Sequence, residues 1–327
     1  MTHAKPSVRG SAVEIGLTAA ILSVRDNEPM VLVVRDEAGA ALDGLPYGPF
    51  APLAHRTLDI GLRAGVAAQT GLELGYVEQL YTFGDRGRHA EPGDVGAPVV
   101  SIGYVALTRG CERLQAQNVW RSWYTYFPWE DRRNGASKVL GIDIIARLAA
   151  WAEARVDPDA PARPIARAER VRMCFGTDGG TWDEEKVLER YELLYEAGLA
   201  GEAARDGRAT LTVGQVPVGV PMQFDHRRIL ATAIGRIRGK IKYRPVIFEL
   251  LADEFTLFEL QRTVEAILGP HLHKQNFRRL VEAGGLVEPT GEMKAATGGR
   301  PAKLYRFRRD VLLERPSPGV RVNGSRT

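Results

Sequence analysis

Unbroken apolar runs separated by turn residues dominate the first hundred residues of this chain, and helical periodicity dominates the last hundred. Val13–Val24 and Met30–Arg35 are β-rich runs around the turn-like Arg25–Pro29. Gly and Pro punctuate residues 43–52, which predicts a loop. Leu58, Leu62 and Val66 then recur at i, i+4 and i+8, predicting a helix that stops at Gly71. Tyr76–Asp85 and Ala97–Thr108 read as further strands, joined by a polar, Gly-rich loop over Arg86–Gly96. In the middle, the aromatic-rich residues 119–130 read as a strand packed on this first domain. Residues 139–154 and 182–204 read as helices, and 157–164 is a proline-rich breaker. The expected division is 1–130, a helical insertion or connector over 131–222, and a separate C-terminal domain over 223–327.

The C-terminal pattern is the most specific. Phe224–Ile241 predicts a helix with Ile229, Ala233 and Ile237 on one face and arginines on the other. Thr256 and Glu259 form a capping box that opens a second helix, whose stripe is Leu257, Leu260, Val264 and Ile267. Gly269-Pro270 closes it and allows a tight turn. A further helix over Leu272–Ala283, a short strand at Leu286–Glu288, a polar loop through Gly299 and a returning strand complete a winged helix-turn-helix.

Wound at about 100° per residue, Phe277, Leu280 and Val281 face inward. His271, Gln275, Arg278 and Arg279 face outward, with Lys274 and Asn276 on the flanks. Arg pairs bidentately with guanine, and Gln or Asn with adenine. The outward face therefore suits a major groove of double-stranded operator DNA. Arg300 and Lys303, around Pro301 in the hairpin, are placed to reach a minor groove or the phosphates. His273 projects near the apolar side and is expected at the edge of the core.

Charge sharpens this picture. From Phe224 onward the chain carries 20 Lys and Arg against 11 Asp and Glu, while the rest carries 24 against 29. A net of +9 behind a net of −5 turns only the back of the molecule toward a polyanion. The same arginines on a merely solvated face would not need the helix-turn-helix and wing beside them. Length, at 327 residues, and 44% hydrophobic content fit an ordinary two-domain globular protein. No signal-like N-terminus or membrane-length apolar run is present, so a cytoplasmic location without membrane contact is expected. Cys111 and Cys174 read as reduced thiols.

The stretches "FDHRRIL", "EFTLFELQ", "NFRRLV" and "GRPAKLYRF", in this order, resemble the C-terminal half of the Nudix-related transcriptional regulators of NAD metabolism, the NrtR-like family. "VEQLYTFGD", Gly87-Arg88 and "VVSIGYVAL" resemble its nucleotide-binding half. The resemblance covers about 1–108 and 223–307, and the long insertion at about 130–220 points to the alphaproteobacterial NadQ-like subgroup. It implies an α/β Nudix-like mixed-sheet sandwich (α/β/α) followed by an α+β winged helix-turn-helix domain. It also implies a homodimeric repressor of NAD-biosynthesis genes.

Nudix hydrolases hold Mg²⁺ with clustered glutamates in a box G-x₅-E-x₇-R-E-U-x-E-E-x-G-U, where U is aliphatic. Registered on Gly71-Leu72, the R-E-U-x-E-E positions are Ala64, Gly65, Val66, Ala67, Ala68 and Gln69. Asp59 is the only acid between Gly48 and Leu72. One carboxylate cannot assemble a magnesium cluster, so no enzyme activity and no metal are expected; a residual pyrophosphohydrolase acting on ADP-ribose is the opposing reading. A regulator of another pathway with this architecture is the other alternative. By resemblance, an adenine nucleotide effector (ADP-ribose, NAD, ATP or ADP) would meet Tyr81, Phe83, Asp85, Arg86 and Arg88, with an aromatic ring on adenine and an arginine on phosphate. Phe83 could equally fill the core. The glycine-rich Cys174–Glu185 precedes a helix, a setting for anions, but lacks the Lys-Ser/Thr ending of a P-loop.

Overall fold

The computed structural model describes residues 13–35, 42–85, 98–109, 114–133, 135, 144–154, 164–208, 217–294, 301–314 and 318–320. Arg86, Arg88, Arg300 and Cys111 therefore lie outside the described residues.

Strands β1 (Glu14–Arg25) and β2 (Glu28–Val34) form a hairpin, whose two turn residues Asp26 and Asn27 take φ of 49° and 64°. Asx residues tolerate this left-handed region, and its twist matches that of paired strands. β3 (Tyr47–Pro49) pairs with β1, and β4 (Tyr76–Phe83) with β5 (Val99–Leu107). With β6 (Asn118–Ser122), the resulting mixed sheet runs β4-β5-β1-β2-β6, with β1 and β5 parallel and its other pairs antiparallel. β6 covers only the start of the aromatic segment. Beyond it the chain turns twice in 3₁₀ conformation, and Trp123, Tyr126, Phe127 and Trp129 are all fully buried. The strand expected over 119–130 is thus cut short, because its aromatic residues fill a core on every side rather than one face of a sheet.

β1 is apolar on both faces because both are covered. Leu17, Ala19 and Ile21 meet Leu62 and Val66 of α1 (Leu58–Thr70), which Thr57 caps and Gly71 ends at φ 75°. On the opposite face, Ala20 and Leu22 share a core with Ile229, Ala233 and Ile237 of α6 (His226–Ile241). Between them come α2 (Ile145–Glu153), α3 (Arg167–Phe175), α4 (Val187–Glu196) and α5 (Gly201–Arg205). The single helix expected over 182–204 is broken where Gly198 adopts φ 71°. α6 also departs from its expected face pattern. Arg227 and Arg238, assigned to a polar outer face, are wholly buried, because α6 packs on the sheet with one side and on α4 and α7 (Leu257–Leu268) with another.

Gly103 of β5 lies where α6 crosses the sheet. A Cβ there would sit 2.8 Å from the Phe83 ring and 3.1 Å from Ile229 Cγ2. Gly103→Ala is expected to cost about 1–3 kcal/mol through overpacking, read as a lower urea midpoint. An unchanged midpoint would mean that the seam yields.

The C-terminal unit holds β7 (Glu254–Thr256), α7 (Leu257–Leu268), α8 (Lys274–Ala283), β8 (Val287–Lys294), β9 (Ala302–Phe307) and the short α9 (Val311–Glu314). Its sheet runs β7-β9-β8. The capping box forms as read, with the Thr256 hydroxyl accepting from the Glu259 N–H at 3.2 Å and the Glu259 carboxylate accepting from the Thr256 N–H at 2.8 Å. The first hairpin strand extends well beyond Glu288, to Lys294. No helix among the described residues is long and apolar enough to cross a membrane.

Candidate functional site

α8 begins at Lys274, two residues later than its periodicity suggested, because His273 is extended and stands at its N-cap. His273 is exposed rather than at the core edge. Phe277 and Val281 are buried, while Lys274, Gln275, Asn276, Arg278 and Arg279 are exposed together. Arg279 donates to the Asn276 Oδ1 at 3.0 Å, which aligns two of these side chains. Lys303 is exposed on β9, opposite Met293 of β8.

His271 lies off the helix, in the turn between α7 and α8, where a residue invisible to the motif reading organises the chain. The buried Glu265 carboxylate accepts from the Leu272 N–H at 2.9 Å and from Gln261 at 2.8 Å. Arg262 (3.1 Å) and His271 Nδ1 (3.3 Å) lie against its other oxygen. Burial would raise this carboxyl, yet the Leu272 N–H, Gln261, Arg262 and His271 hold it below the usual glutamate range. Glu265 thereby locks the angle at which α8 is presented. The i, i+4 spacing of Gln261 and Glu265 ahead of Gly269-Pro270 is the signal that could have found it.

At the end of β4, the candidate nucleotide residues separate. Phe83 is 3% exposed and packed beneath α6, so it fills the core and its ring is not open to a base. Tyr81, 63% exposed, meets the Phe83 ring edge-on with centroids 5.6 Å apart. The Asp85 carboxylate is ion-paired with Arg228 of α6. Arg228 also binds Glu192 at 2.7 Å and stands 5.3 Å from the Phe83 ring. Arg228 was missed because helical periodicity alone gave it no partner.

On α1, the one acid, Asp59, is ion-paired with Arg63 at 2.9 Å, in the first turn and away from the box positions. Gln69, at a glutamate position of the hydrolase box, accepts from the Tyr47 N–H at 3.1 Å. Gly65, Ala68 and Gln69 do not fit a magnesium cluster. The helix keeps its shape through Thr70, which caps Leu72, and through Leu62 and Val66, which face the sheet.

Beneath these surfaces lies a buried ionic junction. Glu130 accepts from Arg190 of α4 at 2.6 and 3.0 Å and from Arg238 of α6 at 2.5 Å, and all three side chains are fully buried. Burial would raise the Glu130 carboxyl, but the charges and N–H donors of Arg190 and Arg238 hold it below the usual range. Arg238 also donates to the Ile267 carbonyl, at the end of α7, at 2.8 Å. Arg190 donates to the carbonyls of Cys174 and Asp183 at 3.0 and 2.8 Å and stacks 3.8 Å from the Trp182 ring. The glycine-rich Cys174–Glu185 segment thus receives an arginine of its own chain through carbonyl oxygens, the opposite polarity from an anion cradle.

Residues 247–307 match the NrtR DNA-binding winged helix domain family. This segment is an NrtR-type DNA-binding winged helix domain. The chain is 44% identical over 86 residues to the ADPR responsive transcriptional repressor NtrR of Acinetobacter baylyi (strain ATCC 33305 / BD413 / ADP1). That match covers 26% of this chain and 34% of the relative, so it spans about a third of the relative's length. Among solved structures, Shewanella oneidensis NrtR complexed with a 27mer DNA superposes at a TM-score of 0.53 and 21% identity, over 91% of this chain and 94% of that one. A MutT/nudix family protein from Enterococcus faecalis superposes at 0.52 and 15% identity, over 93% and 90%. The fold of the chain is a Nudix-like mixed sheet with helices, followed by a winged helix domain.

Proposed function

We propose that this chain is a DNA-binding transcriptional repressor of NAD-biosynthesis genes, acting as a homodimer and responding to an adenine nucleotide that it does not cleave. The observation that carries this reading is the exposed Lys274, Gln275, Asn276, Arg278 and Arg279 face of α8, within a winged helix of the NrtR family. ADP-ribose stands first among the candidate effectors, ahead of NAD, ATP and ADP, because the Acinetobacter relative is named as ADPR responsive. With Phe83 buried, an adenine at the end of β4 would stack on Tyr81, beside Asp85. The long segment over 131–222 supports placement in the NadQ-like subgroup. Because α6 covers the sheet, we set the DNA-binding unit after it, from about residue 246.

An effector moves such an equilibrium only by its differential affinity for the two states. Two recognition helices must meet half-sites about one turn, roughly 34 Å, apart. Purified protein is expected to shift promoter DNA from its own NAD-synthesis genes at moderate salt, and ADP-ribose to change the shifted fraction. No shift with that DNA would sink the reading. Incubation with ADP-ribose and Mg²⁺ is expected to release AMP no faster than a protein-free control, since Gly65, Ala68 and Gln69 offer no carboxylate. Stoichiometric turnover would restore the hydrolase reading.

A further inference from the structure

A cleft of about 840 Å³ opens between the start of β4, the end of α6 and the winged helix domain. No sequence motif pointed to it. Its size is that of a site for a small organic ligand, and seams between domains are where such sites concentrate. Its floor is aromatic. Phe248 and Phe307 stack with centroids 4.4 Å apart, with Phe255 against Phe248 and Tyr76 on the opposite wall.

Its rim is basic. Arg109, Lys240, Arg244, Arg306 and Arg309 line it against Glu249 and Asp253. Three of these cations are already engaged: Arg109 with Asp253 at 2.7 Å, Lys240 with Glu78, and Arg306 with Glu288 at 2.6 Å. Arg244 and Arg309 are exposed and form no ion pair within 4 Å among the described residues, although the Arg309 charge, after that of Arg109, helps hold the Asp253 carboxyl below its usual range. A ring-sized aromatic floor beneath two such guanidiniums is complementary to one chemistry, a planar base carrying phosphates.

We infer that this cleft binds a phosphorylated nucleoside, with its base against the partly exposed Tyr76 and Phe307 and its phosphates on Arg244 and Arg309, at a site separate from that of Tyr81 and Asp85. The inference deepens the nucleotide-responsive reading and rests on it. A ligand here touches both halves of the molecule: Tyr76 and Arg244 on the Nudix-like side, Phe307 and Arg309 on the winged helix. Its binding therefore favours one angle between them, and DNA that favours another angle must weaken it by the same factor.

Calorimetric titration of the full chain with ATP and with ADP-ribose tests this. The Arg244→Ala/Arg309→Ala variant is expected to lose roughly tenfold in affinity per guanidinium, about a hundredfold in all, for at least one nucleotide, whereas Tyr81→Ala retains that binding event. Arg244→Lys is expected to recover part of it. Should the double variant not fold, the single variants Arg244→Glu and Arg309→Glu, each at an exposed position, carry the same test. Unchanged binding of both nucleotides to the double variant overturns the cleft and leaves the nucleotide-responsive reading standing. Absence of binding to the wild-type chain overturns both. A double variant that binds nucleotide normally but loses operator DNA reassigns these arginines to DNA phosphates and overturns the inference.

Discussion

Replacing Glu130 with glutamine is expected to destabilise the chain by about 3–5 kcal/mol, the cost of leaving buried charge without its partner. Arg190 and Arg238 both lose their counter-charge, and neither has access to water. Because the three groups act as a unit, adding Arg238→Met to Glu130→Gln should cost less than Arg238→Met alone. Additive losses in urea unfolding would refute the junction. The pH dependence has a definite sign. Glu130 has a lower pKa folded than unfolded, so its contribution is complete above the ordinary glutamate range of about 4.3. It is lost as pH falls below that range, through the depressed folded value. Wild type should therefore lose more stability than Glu130→Gln over that acidic interval. Parallel curves would contradict the assignment.

Arg278→Ala should remove specific operator recognition while sparing the fold. One bidentate contact discriminates by about 1–3 kcal/mol, so affinity for the specific site should fall roughly 10- to 100-fold. Arg278 is exposed, so the melting temperature should hold and nucleotide binding should persist. Lys303→Ala offers the contrast: uniform weakening across sequences, with a salt slope smaller by about one phosphate. If Arg278→Ala lowered DNA affinity, nucleotide affinity and melting temperature together, its role would be structural.

What the sequence made legible was local. The Thr256–Glu259 capping box, the Gly71 stop of α1 and the Asp26-Asn27 turn all depend on neighbours within a few residues, and each forms. The winged helix was readable for the same reason. Glu130 was not, because its partners stand 60 and 108 residues away on two other elements. Periodicity also misplaced Arg227 and Arg238. It assumes one buried face per helix, and α6 has two, so arginines on the second are buried and must be paired there. At β4 the alternation correctly marked a strand but could not choose between a stacking platform and core for Phe83. α6 crosses that strand, and its position is set by long-range packing.

The contact between Gln69 and the Tyr47 N–H bears on what a magnesium-binding box would require of this helix. Three positions, Gly65, Ala68 and Gln69, would have to carry carboxylates before a divalent ion found a cluster to bind. One or two carboxylates alone would add negative charge to a helix whose one cation, Arg63, is already paired with Asp59. The third change would also divert a side chain that now steadies the neighbouring strand. A box position of this helix is thus tied to the strand beside it, and a carboxylate that turned to a metal there would loosen that strand.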